Sequence, residues 1–364
     1  MDSNAIKITA PRFRDPEEWF HSLATSYVES QIYFHLNQCG VFQYLLLGGS
    51  AKNIAESLKL DERILESLLD YSANVGDIIC VDEYGLYCLT NFGHEVVERY
   101  GKKNGDRTVY NMFDVRVGAW GPVWANLSEL LRKSKIYGID VHRAGEHAAD
   151  GLFKLASPLS HAVNKAATEL SATTIVELGP TSGIMAILAS AKNGSNRRYV
   201  GIDIKQESLD LAMSLAQERG VSFITWQLGD IFVPETWINL FNDDERILFF
   251  SCHFHEFLSQ GIEKMERVIL KLSKRSTTVG IQILEQPRLP IEQRYLHSST
   301  RWKYSESNVL IHHLIKNARI LYDNEWQNLL RKGGCHDVVV SDAKGFGFRS
   351  YIGMITKLSG EKYA

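Results

Sequence analysis

Two groups of side chains in this 364-residue sequence have the types and spacing for chemistry. The first is the run Phe249-Phe250-Ser251-Cys252-His253-Phe254-His255-Glu256-Phe257, with His312-His313 farther along. An imidazole titrates near neutrality, so His255 suits the work of a general base. Two imidazoles and one carboxylate also make an open metal site. His255, Glu256 and one of His312 or His313 would hold a divalent or trivalent ion and leave positions for a chelating substrate. Adjacent residues on a helix point about 100° apart, so at most one of His312 and His313 faces such a site. His255 and Glu256 reach one ion only where the preceding strand has ended. A strand running on through Phe257 would send the two side chains to opposite faces.

The second group follows three successive strand-like runs. Ile175-Val176-Glu177-Leu178 leads into Gly179-Pro180-Thr181-Ser182-Gly183 and then a helical pattern. The glycines allow a tight turn and close backbone approach, and the helix start offers unpaired N–H groups. About 20 residues on, Tyr199-Val200-Gly201-Ile202-Asp203 ends in an acid placed to accept the hydroxyls of a ribose. Leu228-Gly229-Asp230-Ile231 ends the third run with a further acid, where an adenine amino group could be read. Glu177, Gly179, Gly183, Asp203, Asp230, Ile231 and Ser251 form the expected cofactor site.

The elements that position these groups follow from periodicity. From Thr173 onward strands and helices alternate: strands over 174–178, 198–204, 221–228, 247–251 and 277–284, with helices over 184–192, 207–218 and 261–272 between them. A helix over 323–331 and two more strands, 338–342 and 347–357, complete the series. Such a succession requires parallel strands with helical crossovers, a doubly wound α/β domain. Ligands bind outside the carboxyl ends of its strands. The first hundred residues read differently. Apolar residues at helical spacing over 20–36, 51–58 and 61–72 precede a hairpin, Ile78–Val81 and Leu86–Leu89, turning at Gly85. Three helices and a hairpin are the order of a winged helix. Its presumed recognition helix carries Asp61, Glu62, Glu66 and Asp70 against Arg63 alone, which phosphates would repel. Packing against another subunit is the preferred role. The expected division is 1–105, a winged-helix dimerisation domain; 106–170, a helical linker and lid; and 171–364, the α/β catalytic domain.

The second half, from Thr173 to Leu358, resembles the class I S-adenosylmethionine-dependent methyltransferases. Glu177 precedes Gly179 by two as in their E/D-x-G-x-G-x-G motif, an Asp follows the third strand, and the last strands come after a long excursion. Thr181 departs from the pattern, standing where the family has its middle glycine. With the winged helix, the whole chain resembles the small-molecule O-methyltransferases. The resemblance implies a Rossmann-like methyltransferase domain, an N-terminal mostly helical dimerisation domain, S-adenosyl-L-methionine as cofactor, and a homodimer whose N-terminal module lends residues to the partner's site. His255 matches the catalytic histidine of that family and Glu285, in Gln282-Ile283-Leu284-Glu285-Gln286-Pro287, its orienting glutamate. The second orienting glutamate of the plant enzymes falls near Ile320, which is not an acid.

The segments F-H-E-F and L-I-H-H-L, with Tyr137-Gly138 and Val141-His142-Arg143, are similar to the α-keto acid C-methyltransferases, including 2-ketoarginine methyltransferase. That likeness implies an iron or zinc ion on His255, Glu256 and His312 or His313, with His312 nearer the matching position. Chelation of a 2-oxo acid would stabilise the enolate whose C3 accepts the methyl group. Arg143 and Arg288 are candidates for the substrate carboxylate, and Tyr137 for its surroundings. A metal-free O-methyltransferase using His255 as base and a non-catalytic cofactor-binding regulator are the alternatives.

Composition sets the outer limits. Hydrophobic residues are 45% and charged residues 23%, with 40 Lys and Arg against 43 Asp and Glu. A net charge of −3 gives no bulk attraction for nucleic acid or a membrane surface. No apolar run reaches a membrane span, and the polar N-terminus lacks a secretory signal. Cys39, Cys80, Cys88, Cys252 and Cys335 are odd in number, scattered and without a C-x-x-C pair. That argues against a disulfide framework or thiolate zinc site and for a reduced, cytoplasmic protein.

Overall fold

The structure, a computed structural model, describes residues 15–100, 113–193, 196–288, 309–311, 319–343 and 348–355; for 99–100, 145–155 and 192–193 it describes the backbone alone. Two compact units divide the chain. One takes Met1–Trp124 and Arg143–Gly151, the other Ala125–His142 and Leu152–Ala364.

In the first unit, helix α1 (Pro16–Gln38) starts with proline and is capped by the Asp15 carboxylate, which accepts from the Glu17 amide at 3.0 Å. Gly40, with φ 78°, turns the chain into α2 (Val41–Leu45). The Ser50 hydroxyl caps α3 (Ala51–Leu58), and Asp61 caps α4 (Glu62–Val75) through the Ile64 amide at 2.9 Å. Strands β1 (Ile79–Val81) and β2 (Tyr87–Leu89) pair antiparallel, with Cys80 opposite Cys88. Asp82 organises their turn by accepting from the Tyr84 and Leu86 amides, and Gly85 takes a φ of 75°. Helix α5 (Asn91–Tyr100) follows. Ile32, Leu36, Val41, Leu45, Ile54, Leu65, Leu69 and Ile79 form the core of this unit. Two acids of this segment have structural roles: Asp61 caps α4, and Asp70 accepts a hydrogen bond from the Tyr87 hydroxyl.

After a π-helical turn over Asp114–Ala119 come α6 (Gly121–Ala125), α7 (Leu127–Leu131) and the long α8 (Gly145–Glu169). The second unit then alternates β3 (Thr174–Leu178), α9 (Ile184–Asn193), β4 (Arg198–Asp203), α10 (Gln206–Glu218), β5 (Ile224–Leu228) and β6 (Ile247–Ser251). Helices α11 (Phe254–Phe257) and α12 (Ile262–Ser273) lead to β7 (Thr278–Glu285). Helix α13 (Asp323–Lys332), β8 (Asp337–Asp342) and β9 (Arg349–Met354) end the described chain. The seven strands lie in the order β5-β4-β3-β6-β7-β9-β8, and only β9 runs against its neighbours.

Every residue of β3 and β6 is buried, as central parallel strands covered on both faces require. Phe249 stacks edge-on against Trp237 and Phe241 within the core of this unit. Strand order runs outward in one direction from β3 and in the other from β6, so the crevice at their carboxyl ends is the topological switch point. The alternation expected from the sequence is observed, with β5 three residues shorter at its start than the apolar run that begins at Val221.

Candidate active site

The turn after β3 holds three left-handed residues, Gly179 (φ 67°), Thr181 (φ 51°) and Gly183 (φ 68°). Its tightness is enforced by the side chains packed on it. A Cβ on Gly179 would sit 2.6 Å from the Phe257 ring, and one on Gly183 would sit 2.4 Å from Trp226 and 2.8 Å from the Ala212 Cβ. Glycine is therefore required at both ends of the turn. Thr181 carries a β-branched side chain at a positive φ, which sterics disfavour.

Acids lock this turn. Glu177 is 1% exposed, and its Oε2 accepts from the Ala186 amide at 3.0 Å, tying β3 to the first turn of α9. Burial raises its pKa to about 8, against the lowering effect of that hydrogen bond. The Asp203 carboxylate, at the end of β4, accepts from the Thr181 amide at 3.1 Å through Oδ2 and from the Lys205 amide at 2.9 Å through Oδ1. Burial raises its pKa also, opposed by both amides. Two backbone amides fix the carboxylate while each oxygen keeps acceptor capacity for a diol.

At the end of β5, Asp230 Oδ1 accepts from the Phe232 amide at 2.8 Å, and its carbonyl accepts from Trp237 Nε1. Ile231 is buried beside it. Phe232 and Phe257 meet edge to face at 6.3 Å, an aromatic pair close to the glycine turn. Ser251 is fully buried and its hydroxyl accepts from the His253 amide at 2.9 Å, ending β6.

Strand β6 stops at Ser251, so His255 and Glu256 lie on the short helix α11. The strand alternation that would part them is absent, and His255 Nε2 lies 3.9 Å from Glu256 Oε1. On its other side, His255 Nδ1 is 2.8 Å from both oxygens of Glu285, and its backbone amide donates to the same carboxylate at 3.1 Å. Both residues are buried, at 6% and 2% exposure. Burial raises the Glu285 pKa, while His255 opposes the rise. Two N–H groups converging on one carboxylate place the imidazole proton on Nδ1 and direct Nε2 away from Glu285. The Arg319 amide donates to the His255 carbonyl at 3.3 Å, and Ile320 beside it is buried.

The remaining expected residues lie on separate segments of the chain. Arg288 stacks over the Tyr322 ring at 5.3 Å, three residues beyond Glu285. Tyr137 bridges to Val141 within the second unit, whereas Arg143 belongs to the first. His312 and His313 lie outside the described residues, and among the described residues no three His, Cys, Asp or Glu side chains gather as a metal cluster. Phe257, Phe232 and Trp226 are the site residues that sequence reasoning does not single out. Phe232 and Phe257 stand two positions beyond Asp230 and His255, and Trp226 lies within β5, placings shared by many core residues.

A sheet in which only the penultimate position of the order is reversed, with a glycine turn after its first strand and acids ending the next two, is a Rossmann-like α/β arrangement. No protein-family model and no curated protein matches the sequence. Solved structures match it along nearly its whole length. An O-methyltransferase family protein from Burkholderia thailandensis has a TM-score of 0.69 at 15% identity, over 95% of this chain and 99% of that one. Human N-acetylserotonin methyltransferase in complex with SAM gives 0.64 at 15% identity, over 94% and 99%. The mitomycin 7-O-methyltransferase gives 0.67 at 14%, over 93% and 97%. At these identities the likeness is one of fold.

Proposed function

We propose that this chain is an S-adenosylmethionine-dependent methyltransferase acting on a small molecule, with His255 as general base and Glu285 as its orienting carboxylate. The buried contact between these two side chains carries the reading. Glu177, Gly179 and Gly183 shape the cofactor turn, Asp203 receives the ribose hydroxyls, and Asp230 with Ile231 flanks the adenine; Ser251 holds the end of β6. The cofactor, when bound, supplies an electrophilic sulfonium methyl group. His255 Nε2 takes the proton of an attacking hydroxyl, and Glu285 stabilises the resulting imidazolium across Nδ1. Phe257 packs over Gly179 and holds the turn close.

A second reading is favoured by one observation, the 3.9 Å between His255 Nε2 and Glu256 Oε1 on a single helical turn. Those two donors fit a shared iron or zinc ion, completed by His312 or His313, that would act as Lewis acid toward a 2-oxo acid methylated at C3. The Glu285 contact is compatible with it, since metal-ligating histidines commonly donate their other ring N–H to a carboxylate. Arg288 and Tyr137, both in the second unit, would serve the substrate in either case. The molecule acts as a homodimer through its N-terminal helices, in the cytoplasm.

Elemental analysis of untagged protein, paired with methyl transfer from labelled cofactor before and after chelation, tests both. Turnover that survives chelation in metal-free protein supports the hydroxyl reading. Stoichiometric metal and chelator-sensitive turnover supports the 2-oxo acid reading. No cofactor binding by calorimetry removes both.

A further inference from the structure

Cys80 and Cys88 are eight residues apart in sequence, yet the hairpin sets them directly opposite one another on β1 and β2. Their sulfur atoms are 3.2 Å apart, and each lies near the other's carbonyl oxygen, at 3.6 and 3.7 Å. Both side chains are half-buried, so a small reagent can reach them. We propose that Cys80 and Cys88 form a reversible thiol–disulfide site, closed by a low-molecular-weight disulfide such as oxidised glutathione.

The backbone is already suitable. Directly opposed residues of an antiparallel pair have Cα atoms about 4.5 to 5.5 Å apart, within the range that disulfides span. Closing the sulfurs to a bond of about 2.05 Å needs side-chain rotation and a small approach, with the strand register kept. The register itself is pinned at both ends of the hairpin. Asp82 holds the turn through two amides, and the Thr90 hydroxyl hydrogen-bonds both the Asp77 carbonyl and the Gly93 amide. The two strands cannot slip past one another without breaking these contacts.

Closure proceeds in two exchanges. The thiolate of one cysteine attacks a sulfur of the oxidised reagent, forming a mixed disulfide and releasing one thiol. The second cysteine, as thiolate, attacks the protein sulfur of that mixed disulfide and expels the second reagent thiol. Two protein thiols become one disulfide, one reagent disulfide becomes two thiols, and the two protons pass to the departing thiolates. Burial and the neighbouring Cys80 raise the Cys88 pKa to about 11. Reaction is therefore slower than for an open surface thiol and is driven by proximity once the mixed disulfide exists. Cys335 is buried, and burial raises its pKa to about 12, which keeps it out of the exchange.

The test uses the full chain carrying Cys39→Ser, because Cys39 is exposed and would capture glutathione by itself. Reduced protein is treated with oxidised glutathione, quenched with acid, alkylated under denaturing conditions and digested without reductant. A peptide joining residue 80 to residue 88, abolished by dithiothreitol, is expected. In Cys80→Ser and Cys88→Ser variants the remaining cysteine should end as a stable glutathione adduct. Unmodified Cys80 and Cys88, or separate glutathione adducts on both in the parent protein, would overturn the proposal. The peptide map of the parent decides even where a serine variant fails to fold.

Discussion

His255 and Glu285 approach from the ends of two adjacent parallel strands, and the pair yields the most direct functional expectations. His255→Ala should lower turnover by about 10²- to 10⁴-fold, the usual contribution of a general base, with cofactor affinity retained. Glu285→Gln should lower turnover less, since the imidazole stays in place while its charge stabilisation is lost. Calorimetry beside initial rates distinguishes this from collapse of the site, in which binding would vanish together with rate. Asp203→Ala should weaken cofactor binding by about 1–3 kcal/mol, the scale of hydrogen bonds to a charged group. Unchanged affinity would remove Asp203 from the site. The strand-end acids were legible in the sequence because an apolar run ending in a carboxylate is unusual. Trp226 and Phe257 were not, because an aromatic side chain covering a glycine cannot be told from core by spacing alone.

The glycine turn is the element whose chemistry and stability are most tightly joined. Gly183→Ala adds a Cβ at a φ of 68° within 2.4 Å of Trp226, and should destabilise the fold by roughly 1–3 kcal/mol as overpacking does. Thr181→Gly relieves a left-handed β-branched residue, and should leave stability unchanged or raise it by up to about 1 kcal/mol, net of the flexibility glycine adds to the unfolded chain. Urea denaturation compares the two; equal losses would mean that turn strain is not what distinguishes the positions. Beneath the turn, Glu177 has a folded pKa of about 8 against 4.5 when unperturbed. The folded chain therefore keeps a proton that the unfolded chain has released. Its contribution is complete below about pH 4.5 and is lost as pH rises through about 8. A pKa one higher in the fold corresponds to roughly 1.4 kcal/mol, so the effect amounts to a few kcal/mol. Glu177→Gln, which mimics the protonated acid, should flatten the decline in unfolding free energy between about pH 5 and pH 8; an unaltered slope would show that the carboxyl is ionised in the fold. Thr181 as a departure from the family pattern was visible in the sequence, but its anchoring through Asp203 required the structure.

For the whole molecule, the α/β alternation of the second unit was legible because buried parallel strands are continuous apolar runs separated by helices of regular period. The first unit was legible to the level of helices and hairpin. The Cys80–Cys88 contact was not, because it depends on pairing across strands and not on spacing along the chain. What remains is the surface of α1. Its carboxyl half buries Ile32, Phe34 and Leu36, while its amino half exposes Trp19 at 43%, Phe20 at 65%, Leu23 at 51% and Tyr27 at 64%. Four large apolar side chains within nine residues form the kind of continuous patch that marks a protein interface. A second copy offering the same helix would cover it, as an isologous contact between identical surfaces. The chain is thus expected to be a homodimer by light scattering at micromolar concentration. Phe20→Asp together with Tyr27→Asp should produce monomers that still show the circular dichroism of the parent, since both positions are exposed in the single chain. A monomeric parent, or a double variant that stays dimeric, would place the dimer contact elsewhere or remove it.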